Sequence, residues 1–194
     1  MKRFAFSLVL LSFIFGLLSC QTESKDAKMD AKLTSYRNTI KEFVGSLQSE
    51  LKAAMKKGGP INAISVCHTK APQIRAQFSH KKAGFEIART SLKPRNADNA
   101  PDEWEKTVLE QFEKRKAQGE DPKTLEFHQV VETNGQRQLR YMKAIPTAEV
   151  CLLCHGATIA PDIQAKLKEL YPDDKATGFK VGDLRGAFSI TETM

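Results

Sequence analysis

From Leu33 onward, apolar residues recur at spacings of mostly three and four: Leu33, Tyr36, Ile40, Phe43, Val44, Leu47, Leu51, Ala54 and Met55. That period predicts an amphipathic helix. Lys56-Lys57-Gly58-Gly59-Pro60 ends it, with basic residues in the last turn and glycine beyond. A second helical stretch, Ile61 to about Phe78, carries Ile61, Ile64, Ala71, Ile74 and Phe78 on one side, and Pro72 inside it is expected to kink or divide it. Phe85 to Leu92 reads as a short strand, followed by a turn-rich loop from Lys93 to Pro101. Asn99 or a neighbour caps the next helix, whose stripe is Trp104, Val108, Leu109 and Phe112 and whose end is Lys114-Arg115-Lys116 before Gly119. Asn134-Gly135, between residues 124–133 and 136–145, is a strong hairpin signal. Helical pieces follow at Ala148 to His155 and Pro161 to Leu170, and Gly186 to Thr191 reads as a closing strand. Helices at the front with an antiparallel hairpin in the middle predict an α+β fold.

Ahead of this pattern, Met1-Lys2-Arg3 opens a run from Phe4 to Leu18 that is apolar except for Ser7, Ser12 and Gly16. Such a run is too short to span a bilayer comfortably and has the form of a secretory signal. It ends in Leu17-Leu18-Ser19-Cys20, which resembles the lipobox of bacterial lipoproteins, with Leu18 in place of the usual smaller residue. The expected organisation is a lipoprotein signal peptide over 1–19, a polar tether over 20–31 that begins at a lipidated Cys20, and one domain over 32–194. Gln21 stands where an inner-membrane retention signal usually places Asp. The expected location is therefore the periplasmic side of a bacterial membrane, the outer one in a two-membrane organism.

The whole chain has 194 residues and a formal charge of +7, which falls to +5 once Lys2 and Arg3 leave with the signal. Charges of both signs are interspersed, so no concentrated basic surface for nucleic acid is expected.

Of four cysteines, two lie in Cys151-Leu152-Leu153-Cys154-His155, the C-x-x-C-H signature of covalent haem c attachment. Two thiols about a turn apart can each form a thioether to a haem vinyl, and the next imidazole then lies under the iron. A redox pair would need a βαβ setting and a zinc site a second ligand pair, and neither pattern is present. Cys67 is then left without a disulfide partner. It lies near the apolar side of its helix and His68 on the other flank of the same stripe, and periodicity leaves open which of them faces a haem.

The segments Ala63–Pro72 (with Val66-Cys67-His68), Arg89–Asn96, Asn99–Glu105, Cys151–Gly156, Tyr171–Gly178 and Gly182–Gly186 occur in one order over roughly residues 31–191. Together they resemble a bacterial family of single-haem c-type proteins with a cyanobacterial prototype. The resemblance implies a PAS-like antiparallel sheet with a long N-terminal helix and flanking helices. It also implies one covalent haem c with His155 as proximal and Cys67 as distal iron ligand, His68 remaining the rival. Arg89, Arg95 and Arg185 are candidates for haem propionates, with loop-fixing roles as the alternative. His80 and His128 are expected at the surface or in a strand.

A thiolate ligand stabilises ferric iron, and its loss on reduction would open the iron to CO or NO. The expected function is redox or diatomic-gas sensing with an unidentified redox or signalling partner. The alternative is a periplasmic electron carrier, for which Met55, Met142 and Met194 are the methionines beyond the export and tether segments. An enzyme is the weaker expectation, because no separate set of acid, base and nucleophile accompanies the motif. A four-helix cytochrome is the rival architecture, since 39 residues follow His155.

Overall fold

The computed structural model describes residues 16–81, 84–133 and 135–194, with the side chains of 16–24, 80 and 81 left aside. The chain divides into two units that meet between Arg37 and Asn38. Everything that follows on sheet, core and pocket belongs to the second.

Helix α1, Gly16–Lys81, is one helical stretch broken at Gly58 and Gly59. Gly59 has φ 64° and ψ −162°, a conformation closed to residues with a Cβ, and Pro60 restarts the helix at the position where its missing N–H costs nothing. Asn62 Nδ2 donates to Ala54 O at 2.9 Å, satisfying a carbonyl at the end of the first arm. The two arms thus turn at the predicted place. Pro72 differs from expectation: the backbone stays helical through it to Lys81. The missing Pro72 N–H would have served the His68 carbonyl, and His68 is exposed to solvent. Backbone of residues 21–31, read from sequence as an irregular tether, is helical too. It holds no Gly or Pro, and Ala, Lys, Met and Glu suit a solvated helix.

Four strands form one antiparallel sheet in the order β1-β4-β3-β2: β1 Phe85–Thr90, β2 Glu126–Thr133, β3 Gln136–Pro146 and β4 Leu184–Thr193. The hairpin β2–β3 pairs Thr133 with Gln136 and Glu126 with Lys143. The closing strand β4 lies inside the sheet, between β1 and β3. One face of the sheet carries Met142, Ala144 and Ala187 and is covered by helix α2, Glu103–Ala117, through Val108, Leu109 and Phe112. The other carries Phe188, whose ring meets that of Phe43 from the first arm of α1 edge-on at 5.9 Å, and Phe43 in turn meets Phe78 of the second arm at 5.3 Å.

The N-cap of α2 is Asp102, in place of Asn99. Its side chain accepts from Glu105 N while the Glu105 carboxylate accepts from Asp102 N, a reciprocal pair that satisfies two orphan donors. Asn99 instead ends a 3₁₀ turn, Ala97–Asn99. The helix expected over 148–155 is a 3₁₀ turn, Glu149–Cys151, followed by a single α turn α3, Leu152–His155. Helix α4 spans Pro161–Leu170. The α+β class and the antiparallel sheet follow the sequence pattern, and the four-helix alternative is set aside by four paired strands.

Candidate functional site

Cys151, Cys154 and His155 sit on the turn formed by the 3₁₀ segment and α3. Gly156 closes that turn; a Cβ there would lie 2.6 Å from Leu152 O, so only glycine lets the chain leave in this direction. It leaves into a stitched crossing, with Gly178 N donating to Gly156 O at 2.9 Å and Phe179 N to His155 O at 3.0 Å. The return segment also brings Ala176 O to 2.8 Å from His155 Nδ1. As a donor to a carbonyl, Nδ1 carries the ring proton, and Nε2 keeps its lone pair.

A cavity of about 330 Å³ opens beside this turn. Its walls come from both arms of α1. Phe43, Leu47, Leu51 and Met55 face it at intervals of four from the first arm, and Ile64, Cys67, His68, Ala71 and Arg75 from the second. Cys151, Cys154 and His155 complete it from the opposite side with Arg89, Arg95 and Arg185. Cys67, Cys151 and Cys154 are all free thiols and half-buried.

The electrostatics favour a neutral imidazole. Burial, then the Arg185 and Arg95 guanidinium groups, push His155 down to about 3, so it stays unprotonated and ligand-competent at any physiological pH. Burial pushes the Cys67 thiol up, and Arg89 opposes that shift by favouring the thiolate. Burial also raises Cys154 and lowers Arg89. For Arg185, burial and the two neighbouring arginines lower it to about 10. Three guanidinium groups facing one apolar cavity repel each other, an arrangement that an anion entering the cavity would relieve.

The chain matches a family profile described as Tll0287-like over residues 21–192. It belongs to the Tll0287-like family. Among solved structures, the crystal structure of the cyanobacterial heme-protein Tll0287 superposes with a TM-score of 0.59 at 23% identity, covering 82% of this chain and 96% of that one. At that identity the likeness establishes the shared fold. Among curated proteins nothing matches the chain.

Within this Tll0287-like fold, the predicted site residues separate. Cys67, His68, Cys151, Cys154, His155, Arg89, Arg95 and Arg185 all line the cavity. His68 is exposed, its ring edge-on to Tyr171 at 5.0 Å, whereas Cys67 lies deeper. Arg95 is committed to loops: its Nε donates to Asp174 Oδ2 at 2.9 Å and its Nη2 to the carbonyls of Cys154 and Ala176. Arg185 gives Nη1 to Ser91 Oγ and Lys93 O, while its Nε is buried without a partner. Of the methionines, Met55 lines the cavity, Met142 is buried against α2 and Met194 is exposed. His128 is exposed on β2 and away from the cavity lining. His80 falls in α1 with its side chain outside the described set, as does that of Cys20, and residues 1–15 of the predicted signal lie outside the described residues. No described helix is long and apolar enough to cross a membrane.

Sequence reasoning missed three contributors. Asp174 and Ala176 hold Arg95 and His155, and Phe179 packs edge-on to His155 at 6.2 Å. Asp174 and Ala176 stand in the Tyr171–Gly178 motif, but nothing in their residue types announces a role.

Proposed function

We propose that this chain is an exported, lipid-anchored haem c protein that works as a redox or diatomic-gas sensor. Cys151 and Cys154 would carry the thioethers, His155 Nε2 the proximal bond and Cys67 Sγ the distal one. The carrying observation is that both cysteines of the C-x-x-C-H motif, its histidine and Cys67 line a single cavity, with His155 Nδ1 tied to Ala176 O. The donor set fits a haem: free thiols, a neutral imidazole with Nε2 open, apolar walls from α1, and a buried Arg185 Nε lacking an acceptor. Arg89 and Arg185 are the propionate partners in this reading, while Arg95 serves the loops. When bound, the group supplies one-electron iron chemistry and, once ferrous, affinity for CO or NO.

The chain's own contribution to switching lies in Cys67. Burial disfavours a charged sulfur, and Arg89 favours it. Burial outweighs Arg89, so the sulfur by itself keeps its proton. The positive charge of a ferric iron beside it would favour the thiolate, and reduction of that iron would favour the thiol again. Cys67 is preferred over His68 because it is the more enclosed of the two. Met55 supports a second reading, an electron carrier, since a thioether facing the same cavity could replace the thiol and give a higher potential.

The test is a ferric EPR and optical spectrum of the holoprotein and of Cys67→Ala and Met55→Leu. Loss of the low-spin thiolate signature in Cys67→Ala alone is expected. An unchanged spectrum in Cys67→Ala with a changed one in Met55→Leu would transfer the ligand to Met55 and favour the carrier. Haem that washes out in denaturant would refute covalent attachment. Membrane release of Cys20→Ser tests the anchor.

A further inference from the structure

The carbonyl of Ala176 serves two donors. His155 Nδ1 lies 2.8 Å from it and Arg95 Nη2 lies 3.2 Å from it. The same Arg95 Nη2 also donates to Cys154 O, one residue before His155. Asp174 closes the circuit: its Oδ2 accepts from Arg95 Nε at 2.9 Å, and its Oδ1 accepts from Ala176 N at 2.7 Å. Both side chains of the Arg95–Asp174 pair are about nine-tenths buried, at 12% and 11% exposure, so water does not substitute for either partner. A single residue, Ala176, is thus held at its N–H by Asp174 and loaded at its carbonyl oxygen by Arg95 and His155.

We propose that Arg95 is a positioning residue for the proximal imidazole, which it tunes by sharing the Ala176 carbonyl with His155 Nδ1–H. A guanidinium on that oxygen draws off electron density and weakens its pull on the imidazole proton. His155 then remains a neutral, moderate donor at Nε2. Without the guanidinium the carbonyl accepts from His155 alone, the ring gains imidazolate character, and Nε2 becomes the stronger donor. Asp174 keeps the carbonyl in place in either case, because its bond to Ala176 N does not pass through Arg95. The proposal rests on His155 as the proximal ligand.

The test compares wild type with Arg95→Lys and Arg95→Gln, by midpoint potential of the holoprotein and by ¹⁵N and ¹H shifts of the His155 ring in its diamagnetic ferrous–CO form. Arg95→Lys retains the charge but cannot reach Asp174, Cys154 O and Ala176 O together. The expected result is a negative shift of potential in both variants, with the His155 Nδ1 proton moving downfield in both. A shift in Arg95→Gln with none in Arg95→Lys would overturn the proposal in favour of a simple charge effect. Reduced haem content with wild-type potential and ring shifts in the surviving holoprotein would overturn it in favour of loop stability alone. A wild-type chain that takes up no haem sinks the haem reading separately, and the ring shifts of the haem-free chain then decide the network by the same comparison. Wild-type shifts in both variants would overturn it there.

Discussion

Two residues show how narrowly the site is specified at the level of single atoms. Gly186 in β4 has φ 149°, and a Cβ there would lie 2.2 Å from Thr90 O, inside the β1–β4 seam beside Arg185. Gly186→Ala is expected to cost about 3 kcal/mol through backbone strain and seam separation, read as a lower urea midpoint. Cys67 is the opposite case, a residue whose burial is unfavourable to its charged form and whose replacement should leave the fold intact. On the proposed haem reading, Cys67→Ala is expected to retain covalent haem while losing the low-spin ferric signature, and its unfolding free energy should change by less than about 1 kcal/mol, because a half-buried thiol removes little packing. In the sequence Cys67 stands out as a cysteine without an obvious partner, whereas Gly186 does not stand out. A glycine in a strand gives no hint of which neighbour approaches it, since Thr90 is far away along the chain.

Among the elements, α2 is the most independently specified. Its acidic first turn, capping box and basic last turn all agree with the helix dipole. Asp102 has a second task, an ion pair with Arg140 of β3 at 2.7 Å, and Arg140 also stacks over Trp104 at 4.3 Å from its centroid. Asp102→Ala is expected to destabilise the protein by about 1–2 kcal/mol, since it removes the cap and part of the Arg140 anchor. Denaturant unfolding with circular dichroism checks this, and Asp102→Asn should recover most of the loss. Helix α1 differs in that its two apolar stripes do not simply fill a core. The residues at 43, 47, 51 and 55 were legible as a helical stripe, yet they form a cavity wall. A periodic stripe reports that a face is shielded from water and cannot distinguish a protein core from a bound apolar group.

Across the whole molecule, the buried His155 links folding to pH. It is held near 3 in the folded state against an ordinary value of 6.5. Between these values the unfolded chain binds a proton that the folded chain does not, so its contribution to stability is complete above 6.5 and is lost as pH falls toward 3. For the haem-free chain the loss amounts to about 2 kcal/mol by pH 5. Urea unfolding at pH 7 and pH 5 should show this difference, and His155→Gln should reduce it. A wild-type pH dependence equal to that of the variant would contradict a buried neutral imidazole.

The sequence by itself determined the local elements and carries the motif on which the proposed covalent haem attachment rests. Helical periods, Gly58-Gly59-Pro60, the Asn134-Gly135 hairpin and C-x-x-C-H act over a few residues, where period, backbone freedom and thiol spacing are read directly. Tertiary structure decided the rest: that β4 enters the sheet between β1 and β3, that Cys67 is half-buried while His68 is exposed, and that Arg95 is engaged by loop acceptors. Those outcomes depend on contacts between residues far apart in the chain, such as Arg95 with Cys154 and Asp174. A charged residue looks the same in sequence whether water, a loop carbonyl or a ligand will receive its protons. Only the folded arrangement of donors and acceptors chooses among them.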